Sequence, residues 1–255
     1  MHISLNGSIV ESTAFNWLND SGFRYGFGCF ETMRCINGNV PLLNYHHQRL
    51  CTSLAELGIQ FKTSLDDLTT FIHQLFMNDP SNDSVMVCHA FVSGGNIKIQ
   101  PGMSAASTLV LSLSKLPAQT INNDISFQHV TPHAFYRMKG LNYAHHIQEL
   151  TKATGWPIYL DEQLHVIDGS IFAIGIVKDD AIIFADHPDQ CPSVSKQYVL
   201  DQGIGSVKKL HQDDILAADA CFGCNALRGV VPLKASECHQ TLTSTVIPLF
   251  DDLWT

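Results

Sequence analysis

The sequence predicts an α+β protein of two domains, and three observations carry that expectation. Many short strand-like runs are interspersed with helical patterns. Hairpin signals crowd into the N-terminal half. One polar, unpatterned stretch, LPAQTINND, separates the halves and reads as a linker. The expected boundaries are a small N-terminal domain at 1–115, a linker at 116–122 and a larger C-terminal domain at 123–255. A chain of 255 residues suits one large domain or two of ordinary size. With 45% of its residues hydrophobic it has ample material for a core, which excludes disorder.

HISLNGSIV reads as two short strands around an Asn6-Gly7 turn. CFETMRCI, Asn37-Gly38 and NVPLL read as a second hairpin. In its first arm Phe30, Thr32, Arg34 and Ile36 share one face, and Cys29, Glu31, Met33 and Cys35 share the other. Asn44 is the expected cap of the helix YHHQRLCTSLAELGI, which carries Leu50, Leu54 and Leu57 at helical spacing and stops at Gly58. LDDLTTFIHQLF is a further helix, and SVMVCHAFV and STLVLSLSKL are strands. The second half opens with ISFQHV and a helix around LNYAHHIQELTKAT. PIYL, LHVI, SIFAIGIV and AIIFA read as strands, followed by a helix from Ser195 and a capped helix near HQDDILAAD. ACFGCNAL and VVPLKA are strands, and STVIPLFDDLW is the last helix.

Charge and cysteine usage narrow the function classes. Fifteen Lys+Arg against 24 Asp+Glu give a net charge of −9, and no basic run is present, so nucleic acid is not expected as a partner. The five arginines (Arg24, Arg34, Arg49, Arg137 and Arg228) are few enough to matter singly. No signal peptide is expected from the N-terminus, and the longest apolar stretches are too short to span a bilayer, so no membrane partner is expected. Eight scattered cysteines read as reduced, cytoplasmic thiols.

Several motifs carry less chemistry than they suggest. Cys221-x-x-Cys224 lies on a strand, where residues three apart face opposite sides, so no metal site is expected. Ser112-x-x-Lys115 lies on a strand without the companion motifs of a penicillin-recognising site. The pairs His46-His47 and His145-His146 read as partly exposed helix residues. Lys139 differs from all of these. It lies in RMKGLNYAHH, an aromatic and apolar stretch, either as a snorkelling surface residue or as a desolvated amine of lowered pKa. The second kind forms Schiff bases with carbonyl compounds and pyridoxal phosphate.

The stretch YGFGCFETMRCINGNVPLLNYHHQRLCTSLAELGI resembles the N-terminal signature of fold-type-IV pyridoxal-phosphate enzymes. These are the branched-chain and D-amino-acid aminotransferases and the 4-amino-4-deoxychorismate lyases. The matching positions are Tyr25, Gly26, Gly28, Phe30, Glu31, Thr32, Arg34, Gly38, His46, Arg49 and Leu50. MKGLNYAHHIQE is similar to the family's lysine segment and VIDGSIFAIGIV to its acid segment. CPSVSKQYVL resembles its phosphate turn and CNALRGVVPL its closing strand pair, so the resemblance covers nearly the whole chain.

The resemblance implies a two-domain fold of the D-amino-acid aminotransferase type, with the cofactor in the cleft between domains and a homodimer completing the pocket. It implies that Lys139, placed in the C-terminal domain, holds pyridoxal 5'-phosphate covalently and shuttles protons. Arg49 would grip the phosphate, a task suited to a guanidinium. Asp168, where the family usually has Glu, would keep the ring nitrogen protonated and the ring an electron sink. Tyr143 would stand near the phenolic oxygen. Val194 and Ser195 match one phosphate-side turn, and Asn225 and Ala226 the other.

Within the family, the short length and the Asn-Ala-Leu turn imply the lyase branch. Its reaction releases pyruvate and 4-aminobenzoate, a step of folate synthesis. An aminotransferase of the same fold and a non-catalytic binding homologue are the alternatives. The sequence departs from the family at Phe27, Ser21, Ala173 and Lys196, the last standing for an arginine. Phe91, Val92 and Asn96 occupy the places of the lyases' arginine loop. Arg34, Arg24, Lys98 and Tyr25 are then the expected substrate-binding residues.

Overall fold

The computed structural model describes residues 2–81, 83–97, 100–101, 103, 105–118, 123–131, 134–234 and 239–255. The chain divides into two compact units, one of residues 1–118 with 138–143, the other of residues 119–137 with 144–255. The mixture of strands and helices matches the α+β expectation. One assignment is corrected: the segment that carries Lys139 belongs to the first unit, not to the C-terminal one. The reason is backbone pairing of this segment with the strand at 28–36.

In the first unit, β1 (His2–Leu5) and β2 (Ser8–Glu11) form the hairpin expected around Asn6-Gly7. The short helix α1 (Ser21–Tyr25) is capped by Asp20, whose Oδ1 accepts from the Gly22 N–H at 2.8 Å. Next come β3 (Gly28–Ile36), α2 (Leu43–Glu56), β4 (Ile59–Gln60) and α3 (Leu65–Met77). The strands β5 (Val85–Ser93), β6 (Ala105–Ala106) and β7 (Thr108–Lys115) complete the unit. The main sheet has the antiparallel order β2-β1-β7-β5-β3.

Two local expectations are overturned here. Asn37 and Gly38 do turn with positive φ, but only Asn39 bridges back to Ile36, and NVPLL forms no second arm. Pro41 has no N–H to offer a ladder, and β3 pairs instead with β5 over its whole length. The helix α2 starts at Leu43, its N-cap is Leu42 with no side-chain cap, and Asn44 lies exposed inside it.

The alternation along β3 sets which face is buried. Cys29, Met33 and Cys35 join Leu50 and Leu54 of α2, Leu68, Ile72 and Leu75 of α3, and Cys88 and Leu111 of the sheet in one core. Phe30, Thr32 and Arg34 point to the other face and remain partly exposed. The edge of β3 away from β5 is covered by the lysine segment. Phe30 N–H donates to the Lys139 carbonyl at 2.9 Å, and Leu141 N–H donates to the Gly28 carbonyl at 2.9 Å. Cys29 and Gly140 form the bridge between these two bonds.

The second unit contains β8 (Ile125–His129), α4 (Ala144–Lys152), β9 (Trp156–Leu160), β10 (Val166–Gly169), β11 (Ala173–Lys178) and β12 (Ala181–Ala185). It continues with α5 (Val194–Asp201), β13 (Ser206–Lys208), α6 (Gln212–Leu216), β14 (Ala220–Asn225), β15 (Gly229–Leu233) and α7 (Ile247–Leu253). Its sheets have the orders β10-β9-β8 and β13-β12-β11-β14-β15. Ile158, Val166, Phe172, Ile174, Ile176, Cys221 and Leu233 are among the residues that close its core. On the opposite face of β11, a Cβ at Gly175 would lie 2.3 Å from the Phe222 ring, so only glycine lets that ring lie flat on the sheet.

Gly28 is a point of close backbone approach in the first unit. Its φ is +156°, and a Cβ there would lie 2.2 Å from the Val92 carbonyl oxygen, a backbone atom unable to yield. Gly28→Ala is therefore expected to destabilise the protein by about 2–4 kcal/mol. Thermal or denaturant unfolding of the variant measures this, and an unchanged midpoint would contradict it.

Candidate active site

Glu31 occupies a core-facing position of β3 and is 1% exposed. A carboxylate on an apolar face needs partners, and α2 supplies them one turn apart. His46 Nδ1 lies 2.7 Å from Glu31 Oε2, and Arg49 Nε donates to Glu31 Oε1 at 2.8 Å while its Nη2 donates to Oε2. Because a carboxylate only accepts, His46 carries its proton on Nδ1. Burial acts to raise the Glu31 pKa, but Arg49 and then His46 outweigh it and hold the carboxyl at about 2. Burial pushes His46 down, so its imidazole is neutral.

Lys139 sits at the edge of the same strand. Its ammonium lies 4.5 Å from the centroid of the Phe30 ring and 5.9 Å from that of Tyr143, and Tyr143 meets Phe30 edge-on at 5.2 Å. His89 of β5 is close enough to feel this charge: burial lowers its pKa first, and Lys139 lowers it further. The ring row continues from Phe30 to Phe91 at 6.4 Å and from Phe91 to His89 at 5.8 Å, all on the open sheet face. A half-buried amine beside two aromatic rings suits proton transfer and imine chemistry.

The second unit gathers an acid and an anion-suited turn. Asp168 lies at the end of β10, beside Tyr159 of β9. Burial pushes its carboxyl up to about 7, against the Gly169 and Cys191 N–H groups, Lys196 and the Gln190 amide, which favour the charged form. At the N-terminus of α5, Ser193 caps the Lys196 N–H at 3.2 Å, and Ser195 Oγ lies 3.1 Å from Ser193 Oγ. Ser195 also bonds Cys224 at the end of β14, which brings the start of α5 beside the Asn225 turn. In that turn Asn225 Oδ1 accepts from the Leu227 and Arg228 N–H groups at 3.1 and 2.9 Å.

The model of the family described as amino-transferase class IV matches residues 28–236. The chain belongs to the class IV aminotransferase family. It is 24% identical over 236 residues to the aminodeoxychorismate lyase of Bacillus subtilis, covering 86% of this chain and 80% of that protein. Its fold is similar to a 4-amino-4-deoxychorismate lyase structure from Pseudomonas aeruginosa (TM-score 0.80, 21% identity, 99% of this chain and 100% of that one). It is also similar to a hypothetical aminotransferase from Mycobacterium tuberculosis in its PLP-bound form (TM-score 0.83, 15% identity, 100% and 99% of the two chains). The fold is that of the fold-type-IV lyases and aminotransferases.

In this class IV chain the residues selected from sequence fall into two groups. Lys139, Tyr143, Arg49, Arg34, Arg24 and Tyr25 lie in the first unit, and Asp168, Val194, Ser195, Asn225 and Ala226 in the second. Lys139 and Tyr143 share the Phe30 ring, and the Arg49 guanidinium is committed to Glu31 along one edge. Arg34 lies on the open sheet face, two positions along from the Thr32–His89 pair. Arg24 and Tyr25 are exposed on α1, the guanidinium 4.9 Å from the tyrosine ring. Val194 and Ser195 are buried at the start of α5. Lys98 lies outside the described residues.

Two histidine readings are corrected. His46 and His146 are buried, at 2% and 8% exposure, because each serves a partner inside its unit: Glu31 for the first and the Tyr159 hydroxyl, at 3.1 Å, for the second. Cys221 and Cys224 occupy opposite faces of β14, and burial pushes both thiols up to about 12. Sequence reasoning gave Glu31 and His46 no role and passed over Gln190. The signal for Glu31 was present, since a lone charge alternating with Cys29, Met33 and Cys35 demands a buried partner. Gln190 had no such signal, because it lies in a loop without periodicity and its partners, Lys196 and Asp168, come from α5 and β10 on either side.

Two stability predictions arise from these opposed carboxylates. Glu31→Ala leaves Arg49 and His46 without their acceptor and should cost about 3–5 kcal/mol at neutral pH. The folded pKa of Glu31 lies below its ordinary value, so its contribution is complete above about 4.5 and vanishes as pH falls towards about 2. Denaturant unfolding across that range should show this loss in the wild type and not in the variant.

Asp168 behaves in the opposite sense. Between about 3.8 and about 7 the unfolded chain has released this proton while the folded one retains it, so stability falls as pH rises through that window. Without cofactor, Asp168→Asn should therefore gain in melting temperature relative to wild type from pH 4 to pH 7. An equal offset at both ends would remove the assignment.

Proposed function

We propose that this class IV protein binds pyridoxal phosphate and acts as an aminodeoxychorismate lyase, releasing pyruvate and 4-aminobenzoate. The observation that carries the choice of branch is the Asn225-Ala226-Leu227 turn. Its asparagine side chain caps the two amides that follow and so defines the turn's shape. The donor set fits the cofactor in kind. Ser195 and the first-turn amides of α5 suit a phosphate. An acid raised to about 7 by burial gains from a cation such as a protonated ring nitrogen. The amine of Lys139 suits an aldehyde.

When bound, pyridoxal phosphate supplies the electron sink that stabilises a carbanion next to its carbon–nitrogen bond. The chain's own groups would divide the remaining work. Lys139 Nζ removes the proton from C4 of the substrate, held close and shielded by Phe30 and Tyr143. Arg49 and Ser195 would each supply donors suited to the phosphate, and Asp168 would keep the ring nitrogen protonated. Arg34, with Arg24, Lys98 and Tyr25, meets the substrate's carboxylates. Loss of the enolpyruvyl group as pyruvate leaves an aromatic ring, which makes the reaction downhill.

A homodimer is part of this proposal. Trp17, Leu18, Phe23 and Tyr25 are 43%, 74%, 65% and 46% exposed in the single chain, and they suit contact with a second copy. No described helix is long and apolar enough to cross a membrane. The free thiols suit a reducing compartment, and we place the enzyme in the cytoplasm. One observation favours a second reading, an aminotransferase. Phe91 stacks near Phe30 where the lyase resemblance expects arginine, giving an apolar wall suited to an apolar side chain.

Two experiments test these proposals. Borohydride reduction of protein incubated with pyridoxal phosphate should leave the adduct on Lys139, and Lys139→Ala should abolish both adduct and visible absorption. An adduct on another lysine would overturn the assignment. With chorismate, glutamine and an aminodeoxychorismate synthase, the protein should yield 4-aminobenzoate and pyruvate one to one without an amino acceptor. If it adds nothing there, yet D-alanine or leucine converts the cofactor to its amine form, it is an aminotransferase. If it does neither, it is a binding homologue.

A further inference from the structure

Lys196 is a buried cation at the start of α5, 8% exposed. Its ammonium donates to three oxygens: the Ala185 carbonyl at 2.7 Å, Gln190 Oε1 at 2.8 Å and Asp186 Oδ1 at 3.1 Å. Asp186 is largely solvent-exposed, whereas the other two acceptors are buried with the lysine. On its other side the Gln190 amide faces Asp168, with Nε2 at 3.5 Å from Oδ1.

The orientation of that amide follows from elementary chemistry. A lysine has donors and no acceptor, so only the carbonyl oxygen of Gln190 can meet it. The N–H₂ end is then left to face the carboxylate. Without the lysine, the amide could turn and present its oxygen to Asp168, which would favour a protonated acid. The loop that carries Gln190 is pinned from behind. Gln190 N–H donates to the His187 carbonyl at 3.0 Å, and the buried His187 ring accepts from Asp189 N–H at 3.1 Å while its Nε2 faces Asp161.

We propose that Lys196 and Gln190 form a polar relay that favours the ionised form of Asp168, the lysine acting by holding the Gln190 amide with its N–H towards the carboxylate in addition to its own charge. Both are positioning residues. Gly169 N–H, donating at 2.9 Å, and the Cys191 backbone act on the same carboxylate directly. The other titratable groups around it are Lys196 itself and Tyr159 on β9, whose phenol burial holds in its neutral form.

The relay concerns the second unit alone. Its consequence for turnover rests on the reading of Asp168 as the acid at the cofactor's ring nitrogen, and two measurements separate these. The first is the titration of Asp168 in full-length, cofactor-free protein, followed by carboxyl ¹³C NMR and assigned with Asp168→Asn. Gln190→Glu, isosteric and still able to pair with Lys196, replaces the donor by oxygen. It should raise the midpoint by about one pH unit or more, and so should Lys196→Met. Lys196→Arg, a donor-only cation, should return it to within a few tenths of the wild-type value. An unchanged midpoint in Gln190→Glu, or in a folded Lys196→Met, overturns the relay.

The second measurement is the ¹⁵N shift of the ring nitrogen in protein loaded with labelled pyridoxal phosphate. It should move towards the unprotonated value in Gln190→Glu and stay at the protonated value in Lys196→Arg. If Asp168 responds in the first measurement and the ring nitrogen does not in the second, the relay stands and the cofactor role of Asp168 falls.

Discussion

The buried Glu31 carboxylate is the interaction on which the first unit depends. It is surrounded by apolar side chains of the sheet–helix core, and its charge persists there only because Arg49 and His46 reach it from α2. The three groups therefore fix the height and rotation of α2 on β3, since a slip of one residue on either element would strand a charge. The other edge of β3 is consequently held in place for the lysine segment. Unpaired strand edges are a liability in most proteins. Here the edge is used, because its amide and carbonyl groups capture the backbone on either side of Gly140 and thereby place Lys139.

A buried carboxylate and a half-buried one meet opposite fates in this chain. Glu31 has a guanidinium against it and is held at about 2. Among the described residues Asp168 accepts from amides, with the Lys196 ammonium one amide further away, and rises to about 7. Desolvation is the leading influence on both, so the difference lies in whether a full positive charge is in contact. An acid that is deliberately under-compensated in this way is available to an incoming cation. That is the physical basis for linking Asp168 to a protonated ring nitrogen, and it gives the Lys196–Gln190 arrangement something to control.

Small backbone devices also shape both units. Gly28 brings β3 within reach of the Val92 carbonyl at a φ closed to other residues, and the same residue accepts from Leu141. The start of α5 and the Asn225 turn are joined through Ser195 and Cys224, so one hydroxyl ties two turns that are thirty residues apart in the chain. Neither device needs a large buried area. Both depend on a small residue at one position.

What the sequence determined by itself was everything governed by local periodicity and local chemistry. The alternation of β3, the leucine spacing of α2, the Asn6-Gly7 hairpin and the stop at Gly58 all follow from side-chain direction and turn preference, and the fold shows them. Spaced motifs likewise identified the family and singled out Lys139, Arg49 and Asp168 as candidates. Tertiary structure decided the rest. It took NVPLL away from the hairpin because β5 offered β3 a full ladder while Pro41 could not. It moved Lys139 into the first unit because an open strand edge lay there to receive it. It buried His46 and His146 and gave Lys196 and Gln190 their partners, since those contacts join separate elements whose packing no local periodicity encodes. Local pattern states which face of an element is apolar. Which polar group must enter that face, and which distant partner makes its entry affordable, is settled only when the elements pack and water leaves.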